Sequence, residues 1–315
     1  YSGYYVSTKL WVGDYVNGET FEELGQRATG IERIAVMRAD VDNLGQAFVR
    51  GFENEKNGSK YVTLSRTATF SRKLSMFFKY HINSLLKEGG YSILEEEVQM
   101  EKEDDRRNAL IVYSGGDDIF IVGAWDDIIG FAVDLHDNLM EYSQDTLKIS
   151  AGIGIYPSKY PISIMARETG RLEEAAKSVE GKNAVALFDE KYTFPWEEFI
   201  ENVVEEKLYF IQKYFKVVDE KGKNFLYNLL ELVRKRKEDK INIARFAYLL
   251  GRMEPKVQRG EKKEEIEEKR DLHREFSRKM YEWIRVEKDA KELEMAIYLY
   301  VYTKREKEEH DGVNE

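Results

Sequence analysis

Four aspartates stand where like charge works against them. Asp117 and Asp118 are adjacent in VYSGGDDIFIV, residues 112–122, and Asp40 and Asp42 alternate in ADVDNLG, residues 39–45. A hairpin tip is satisfied by Asn-Gly or Asp-Gly, so a second carboxylate adds repulsion that a bound divalent cation offsets. At the hairpin the residues alone leave two readings open, a divalent-cation site or a solvated turn.

The elements around these residues decide whether they can meet. The Val-, Ile- and Phe-rich flanks of Gly115-Gly116 read as buried strands, and the two glycines supply the positive φ values of a tight hairpin turn. GIERIAVMRADVDNLGQAF reads as a strand over Ile31–Ala39, a turn at Asp40 and a helix from near Leu44. Phe70, Leu74, Phe77, Phe78, Ile82 and Leu85 form one helical stripe, ended by Gly89-Gly90. The charge run Glu95–Arg107 reads as a solvated connection without a chemical role. After the hairpin, Ile128, Phe131, Leu135 and Leu139 align on a helix whose N-terminal dipole Asp126-Asp127 complements. A strand (LKISAGIGIYP), a helix (ISIMARETGRLEEAAKSVEG) and a short strand (NAVALF) follow.

That order describes an α/β fold, a ferredoxin-like sheet extended by a strand. In it the end of the first strand and the hairpin tip lie at one sheet edge, which lets Asp40, Asp42, Asp117 and Asp118 converge. The α/β domain spans residues 1–195, with YYVSTKLWVGDYV as an N-terminal strand or hairpin. Residues 196–315 read as an all-helical C-terminal domain, with an exposed charged loop around 254–271.

Composition narrows the function classes. The 315 residues include no cysteine, 34% are charged and the formal net charge is −10, so a disulfide scaffold and a generically basic nucleic-acid binder are both disfavoured. No apolar run approaches the span of a membrane and no signal-peptide pattern opens the chain, so the expectation is a cytoplasmic protein without membrane contact. The chain begins with Tyr1, which points to a processed chain or a piece of a larger one.

DVDNLG after a strand, YSGGDD at a hairpin, ISAGIGI and AAKSVEGKNAVALF, in that order, resemble the palm of the nucleotidyl cyclase and polymerase-like superfamily that includes the diguanylate cyclases. With KLWVGDY, TFEELGQRATG and MRADVDNLGQAF added, the chain resembles more closely the second palm of the large subunit of type III CRISPR effector complexes, subtype III-A. The helices after Trp196 fit that subunit's C-terminal domain.

The resemblance implies a nucleotidyltransferase that joins ATP 3′ to 5′ into cyclic oligoadenylate, releasing pyrophosphate, within an RNA-guided antiviral complex. It implies two Mg²⁺ or Mn²⁺ ions about 3.5–4 Å apart, held by Asp40, Asp42, Asp117 and Asp118. Asp40, Asp117 and Asp118 are then the catalytic set, and Gly115 and Gly116 allow close backbone approach of the nucleotide. Lys177 and Lys182, each by itself a solvated helix charge, fall in the segment whose basic residues contact triphosphate; the resemblance assigns Lys177 there and leaves Lys182 open. Ser150 is either a contact to base or sugar or a buried hydroxyl bonding to backbone. The partners implied are the other effector subunits, guide RNA and target RNA, with Arg234-Lys235-Arg236-Lys237 facing phosphates or an acidic subunit face, or simply solvated.

Departures sharpen the expectation. Apolar residues near Phe48 replace the guanine-reading Asn of diguanylate cyclases, and RRNAL lacks the aspartate of their inhibitory site, which favours adenine. The doublets His136-Asp137 and His310-Asp311 lack the further ligands of an HD nuclease and read as accidental. The rival from another class is a nucleotide-binding scaffold for guide RNA and small subunits; clustered carboxylates favour catalysis, because a scaffold has no need of them.

Overall fold

A computed structural model describes residues 12–53, 58–100, 105–218, 224–255 and 263–305. The chain divides into two compact units. One contains Arg33–Ile93 and Met100–Pro195 together with the residues up to Ala28; the other contains Thr29–Glu32, Leu94–Gln99 and the chain from Trp196 onward.

In the first unit β1 (Ile34–Val41), β2 (Ala109–Gly115), β3 (Asp118–Ala124), β4 (Ile149–Tyr156), β5 (Ala184–Leu187) and β6 (Thr193–Pro195) form one sheet in the order β2-β3-β1-β4-β5-β6. β1 is central and antiparallel to both β3 and β4, while β5 runs parallel to β4 and β6 antiparallel to β5. This is the expected ferredoxin-like arrangement, extended by two strands where one was expected. β1 also outruns its expected end: Asp40 pairs with Asp118 on one side and Ser150 on the other, so it stands on the strand and not in a turn. The chain leaves the strand after Val41 and turns at Asn43, whose φ of 55° is the first left-handed conformation after β1.

The helices of this unit are α1 (Phe21–Arg27), α2 (Leu44–Arg50), α3 (Leu64–Met76), α4 (Ile82–Glu88), α6 (Trp125–Ser143) and α7 (Ile162–Lys177); α5 (Glu96–Met100) falls in the second unit except for Met100. Thr20 and Thr63 cap α1 and α3 by accepting from the amides of Glu23 and Arg66. Between α3 and α4 the backbone widens into a π turn over Phe77–His81. The wider turn lets the adjacent Phe77 and Phe78 both be buried, and beyond it Leu86 takes the fully buried position while Leu85 is only half-buried.

The expectation of a solvated Glu95–Arg107 connection is corrected at its end. Arg107 is buried, donating to the Asp134 carboxylate and, at 2.8 Å, to Tyr91 O. Asp127 is in the first turn of α6 as expected, yet it too is buried, its Oδ2 accepting from Asn108 N at 3.0 Å and Asn108 Nδ2 at 2.8 Å. Burial of these charges is tolerable because each has ionic and hydrogen-bonding partners. Residues 1–11 of the expected N-terminal hairpin lie outside the described residues, and the part that follows forms only an isolated bridge from Val16 to Leu110.

Gly152 on β4 seats α7. A Cβ there would stand 2.3 Å from Glu173 N and 2.6 Å from Thr169 O, so the helix can lie this close only above a glycine.

In the second unit a π-helical segment, Glu198–Leu208, leads into α8 (Tyr209–Val217), followed by α9 (Asn224–Lys235), α10 (Ile241–Gly251), α11 (Lys263–Arg285) and α12 (Glu287–Lys304). Its interior holds a charged pair: Lys207 donates to Glu292 Oε2 at 2.6 Å, both side chains almost fully buried, with the Trp283 ring 5.1 Å from the ammonium. The expected charged loop is corrected from Lys263 on, where α11 begins; residues 256–262 lie outside the described residues. The Arg234–Lys237 cluster is largely neutralised, with Arg234 on Glu294 at 3.1 Å, Lys235 on Glu231 at 2.5 Å and Lys237 on Glu287 at 2.5 Å. Among the described residues no helix is long and apolar enough to cross a membrane.

Candidate active site

The hairpin loop is Gly116-Asp117, closed by the pair Gly115 and Asp118. Gly116 alone has positive φ, 70°, as a turn with glycine at its first central position requires; Gly115 remains in the strand, so the expectation of two left-handed glycines is corrected to one. A Cβ at Gly116 would meet nothing within 4 Å, so the tip is open to a ligand. Asp117 O accepts from Val41 N at 3.1 Å, which ties the tip to the end of β1. Asp40, Asp117 and Asp118 therefore meet at one sheet edge. Burial and the neighbouring charges of Asp40 and Asp118 push the Asp117 carboxyl above the usual range. The charge of Asp118 likewise pushes the Tyr113 phenol up.

The last turn of α7 brings a cation to this edge. Lys177 Nζ donates to Asp40 Oδ2 and to Glu173 Oε1, each at 2.6 Å, and Arg38 Nε is 3.2 Å from Glu173 Oε2. The four groups form a chain of alternating charge from Arg38 to Asp40. Partial burial alone would lower the Lys177 pKa, and the bonds to Asp40 and Glu173 outweigh it, leaving the ammonium more strongly protonated than usual.

Asp42 is turned to different partners. It is buried, and its Oδ2 accepts from Ser150 Oγ at 2.8 Å and from Asn183 N at 3.0 Å. Ser150 is fully buried, and its hydroxyl donates to this carboxylate and not to backbone. Gly181, Lys182 and Asn183 are all left-handed, at φ 81°, 55° and 52°, and this unusual run turns the Asn183 amide toward Asp42. Lys182 is half-exposed on that loop, its amide donating to Val179 O at 2.9 Å.

The donor chemistry fits a hard divalent cation. Asp40, Asp117 and Asp118 offer oxygens that oppose one another, and Asp42 Oδ1 is buried with no hydrogen-bond partner. Among the described residues no three such side chains already stand as a ready cation cage, and Lys177 occupies Asp40.

Two family descriptions match this chain in succession. Residues 33–186 match the second palm domain of Cas10/Cmr2, and residues 212–306 match the second helical domain of the Cmr2 subunit of the CRISPR RNA silencing complex. The chain belongs to the Cas10/Cmr2 family. It is 46% identical over 311 residues to the CRISPR system single-strand-specific deoxyribonuclease Cas10/Csm1 (subtype III-A) of Mycobacterium tuberculosis, covering 98% of this chain and 36% of that protein. The chain thus spans about a third of the length of the curated relatives it matches. Its fold resembles a crystal structure of Csm1 in T. onnurineus, with TM-score 0.66 and 25% identity over 94% of this chain and 41% of that one. A Csm1-Csm4 cassette in complex with AMPPNP gives TM-score 0.60 and 27% identity over 92% of this chain and 40% of that one.

In this Cas10/Cmr2 palm the residues read from the sequence divide into two groups. Asp40, Asp117, Asp118, Gly116 and Lys177 share one edge, whereas Asp42 and Ser150 form a buried strut behind it. The His136-Asp137 doublet is a local pair on α6, 2.7 Å apart, and His310-Asp311 lies outside the described residues. Glu173, Arg38 and Asn183 were not legible as site residues. Glu173 carried a signal in its i, i+4 spacing from Lys177, and Arg38 one in its i, i+2 spacing from Asp40. Asn183 gave none, because its role depends on a left-handed backbone.

Proposed function

We propose that this chain is the catalytic palm of a cyclic oligoadenylate synthase acting within an RNA-guided type III effector complex. The observation that carries the reading is the meeting of Asp40, Asp117 and Asp118 at an open hairpin edge, with the Lys177 ammonium beside them. The 3′-hydroxyl oxygen of one ATP attacks the α-phosphorus of another; a 3′–5′ phosphodiester forms, the bond to pyrophosphate breaks and the hydroxyl proton is lost to water. Asp40, Asp117 and Asp118 would hold Mg²⁺ or Mn²⁺, which would supply positive charge for the phosphates and acidify the hydroxyl. Asp42 contributes from behind by fixing the loop of Lys182 and Asn183, so that α7 presents Lys177 to the triphosphate. Gly116 leaves room for the nucleotide at the tip.

The related Csm1-Csm4 cassette in complex with AMPPNP supports adenine as the base and a Csm4-like subunit as a partner. Guide and target RNA, and a cytoplasmic location, follow from the same family reading. The test is mass spectrometry of products after the assembled effector complex is incubated with ATP, Mg²⁺ and target RNA, with GTP as the competing substrate. Cyclic 3′–5′ oligoadenylate from ATP is expected, and guanylate products formed at an equal or higher rate would overturn the assignment.

A further inference from the structure

Lys177 is bound twice over by carboxylates, on Asp40 and on Glu173, at equal distances of 2.6 Å. These bonds differ in what they can survive. Glu173 lies one helical turn before Lys177 on α7, has its other oxygen 3.2 Å from Arg38 Nε and is largely buried, so it is fixed on the helix side. Asp40 lies across from it on β1, facing the repelling pair Asp117 and Asp118. An ammonium and a divalent cation cannot both sit on the same Asp40 oxygen, and a divalent ion also relieves the repulsion from Asp117 and Asp118, which a lysine held on α7 does less well.

We infer that Lys177 is an exchangeable internal counter-ion: it neutralises Asp40 while the edge lacks metal, is displaced when a divalent cation arrives, stays tethered by Glu173, and so becomes available to the triphosphate. This rests on the nucleotidyl-transfer reading and adds an order to it. Metal entry creates the free cation that phosphate needs, so the two ligands bind cooperatively through a side chain of the protein itself. Glu173 and Arg38 are positioning residues in this scheme. Arg38 holds Glu173, Glu173 holds Lys177 near the edge, and neither has to touch the nucleotide.

The test uses the full-length protein and reads binding, not turnover. Lysine acylation mapped by peptide mass spectrometry is run without ligand, with Mg²⁺ alone and with Mg²⁺ plus AMP-PNP; the exposed Lys159 and Lys148 serve as internal references. Lys177 labelling is expected to rise several-fold with Mg²⁺ alone and to fall again when the nucleotide is added. In calorimetry with Mn²⁺ alone, Lys177→Gln is expected to bind about tenfold more tightly than the native chain, because a competing charge has gone, and Lys177→Arg is expected to bind no more tightly than native. Should Lys177→Gln fail to fold, the labelling of the native protein decides alone. Labelling of Lys177 that ignores saturating Mg²⁺ overturns the exchange, and so does Mn²⁺ affinity that is unchanged or weaker in a folded Lys177→Gln. The two failures are separable: if Mn²⁺ binds and Asp117→Ala/Asp118→Ala abolishes that binding while Lys177 stays unresponsive, only the exchange is wrong. If the native chain binds neither Mn²⁺ nor nucleotide at this edge, the nucleotidyl-transfer reading falls and takes the exchange with it.

Discussion

Asp117 carries the clearest cost of the site. Burial and the charges of Asp40 and Asp118 raise its folded pKa above the ordinary 3.8, so ionising it opposes folding. For a carboxyl shifted upward, the folded state binds more protons than the unfolded state between the two pKa values. Its contribution to stability is therefore fully present below 3.8 and is lost as pH rises through the raised folded value. Asp117→Asn removes that loss. In chelator, its urea midpoint is expected at or above that of the native protein at pH 7, with the difference closing as pH falls below the ordinary carboxyl value. Adding Mg²⁺ should reverse the order, because only the native edge gains a bound ion. A native protein that gains stability over Asp117→Asn with rising pH, in chelator, would contradict this account of the edge. The carboxylate cluster itself was legible in the sequence, since the types and order of Asp40, Asp117 and Asp118 are unusual for a hairpin. The committed partners of Asp42 and Ser150 were not, because alternation along a strand gives the face of a side chain and not which neighbour reaches it first.

At the scale of elements, α7 is the part that makes the edge into a site, and Gly152 is what lets α7 lie there. In Gly152→Ala the added methyl would press on backbone atoms of Glu173 and Thr169, so the helix must lift from β4. Overpacking of this kind typically costs about 1–3 kcal/mol. It also carries Lys177 and Glu173 away from Asp40. The expected result is a folded protein of lower urea midpoint whose AMP-PNP affinity falls by more than its Mg²⁺ affinity; unchanged stability and nucleotide binding would show that the helix has slack the geometry denies. The strands and helices were readable from periodicity, including α6 and the stripe of α3. What periodicity missed has definite causes. A π turn at Phe77–His81 shifts the helical phase, β1 is held on both sides past the point where its composition suggests a turn, and Arg107 is paired with Asp134 in the interior, where composition alone would place it in water.

At the scale of the whole molecule, charge is arranged for local use. With a net charge of −10, the basic run Arg234–Lys237 is spent largely on Glu231, Glu287 and Glu294, and Lys177 stands among the carboxylates of the palm edge. The family match over residues 33–186 includes this palm edge, and the His136-Asp137 doublet on α6 is a local pair. The central claim is that the paired hairpin aspartates perform chemistry and are dispensable for assembly. It is tested most directly by purifying the effector complex with Asp117→Ala/Asp118→Ala, confirming its subunit composition and melting temperature, and measuring oligoadenylate formed from ATP and Mg²⁺ on target RNA by mass spectrometry. The account predicts intact assembly, a melting temperature equal to or slightly above native, and product reduced by orders of magnitude; cyclic oligoadenylate made at a near-native rate by the folded double variant would contradict it.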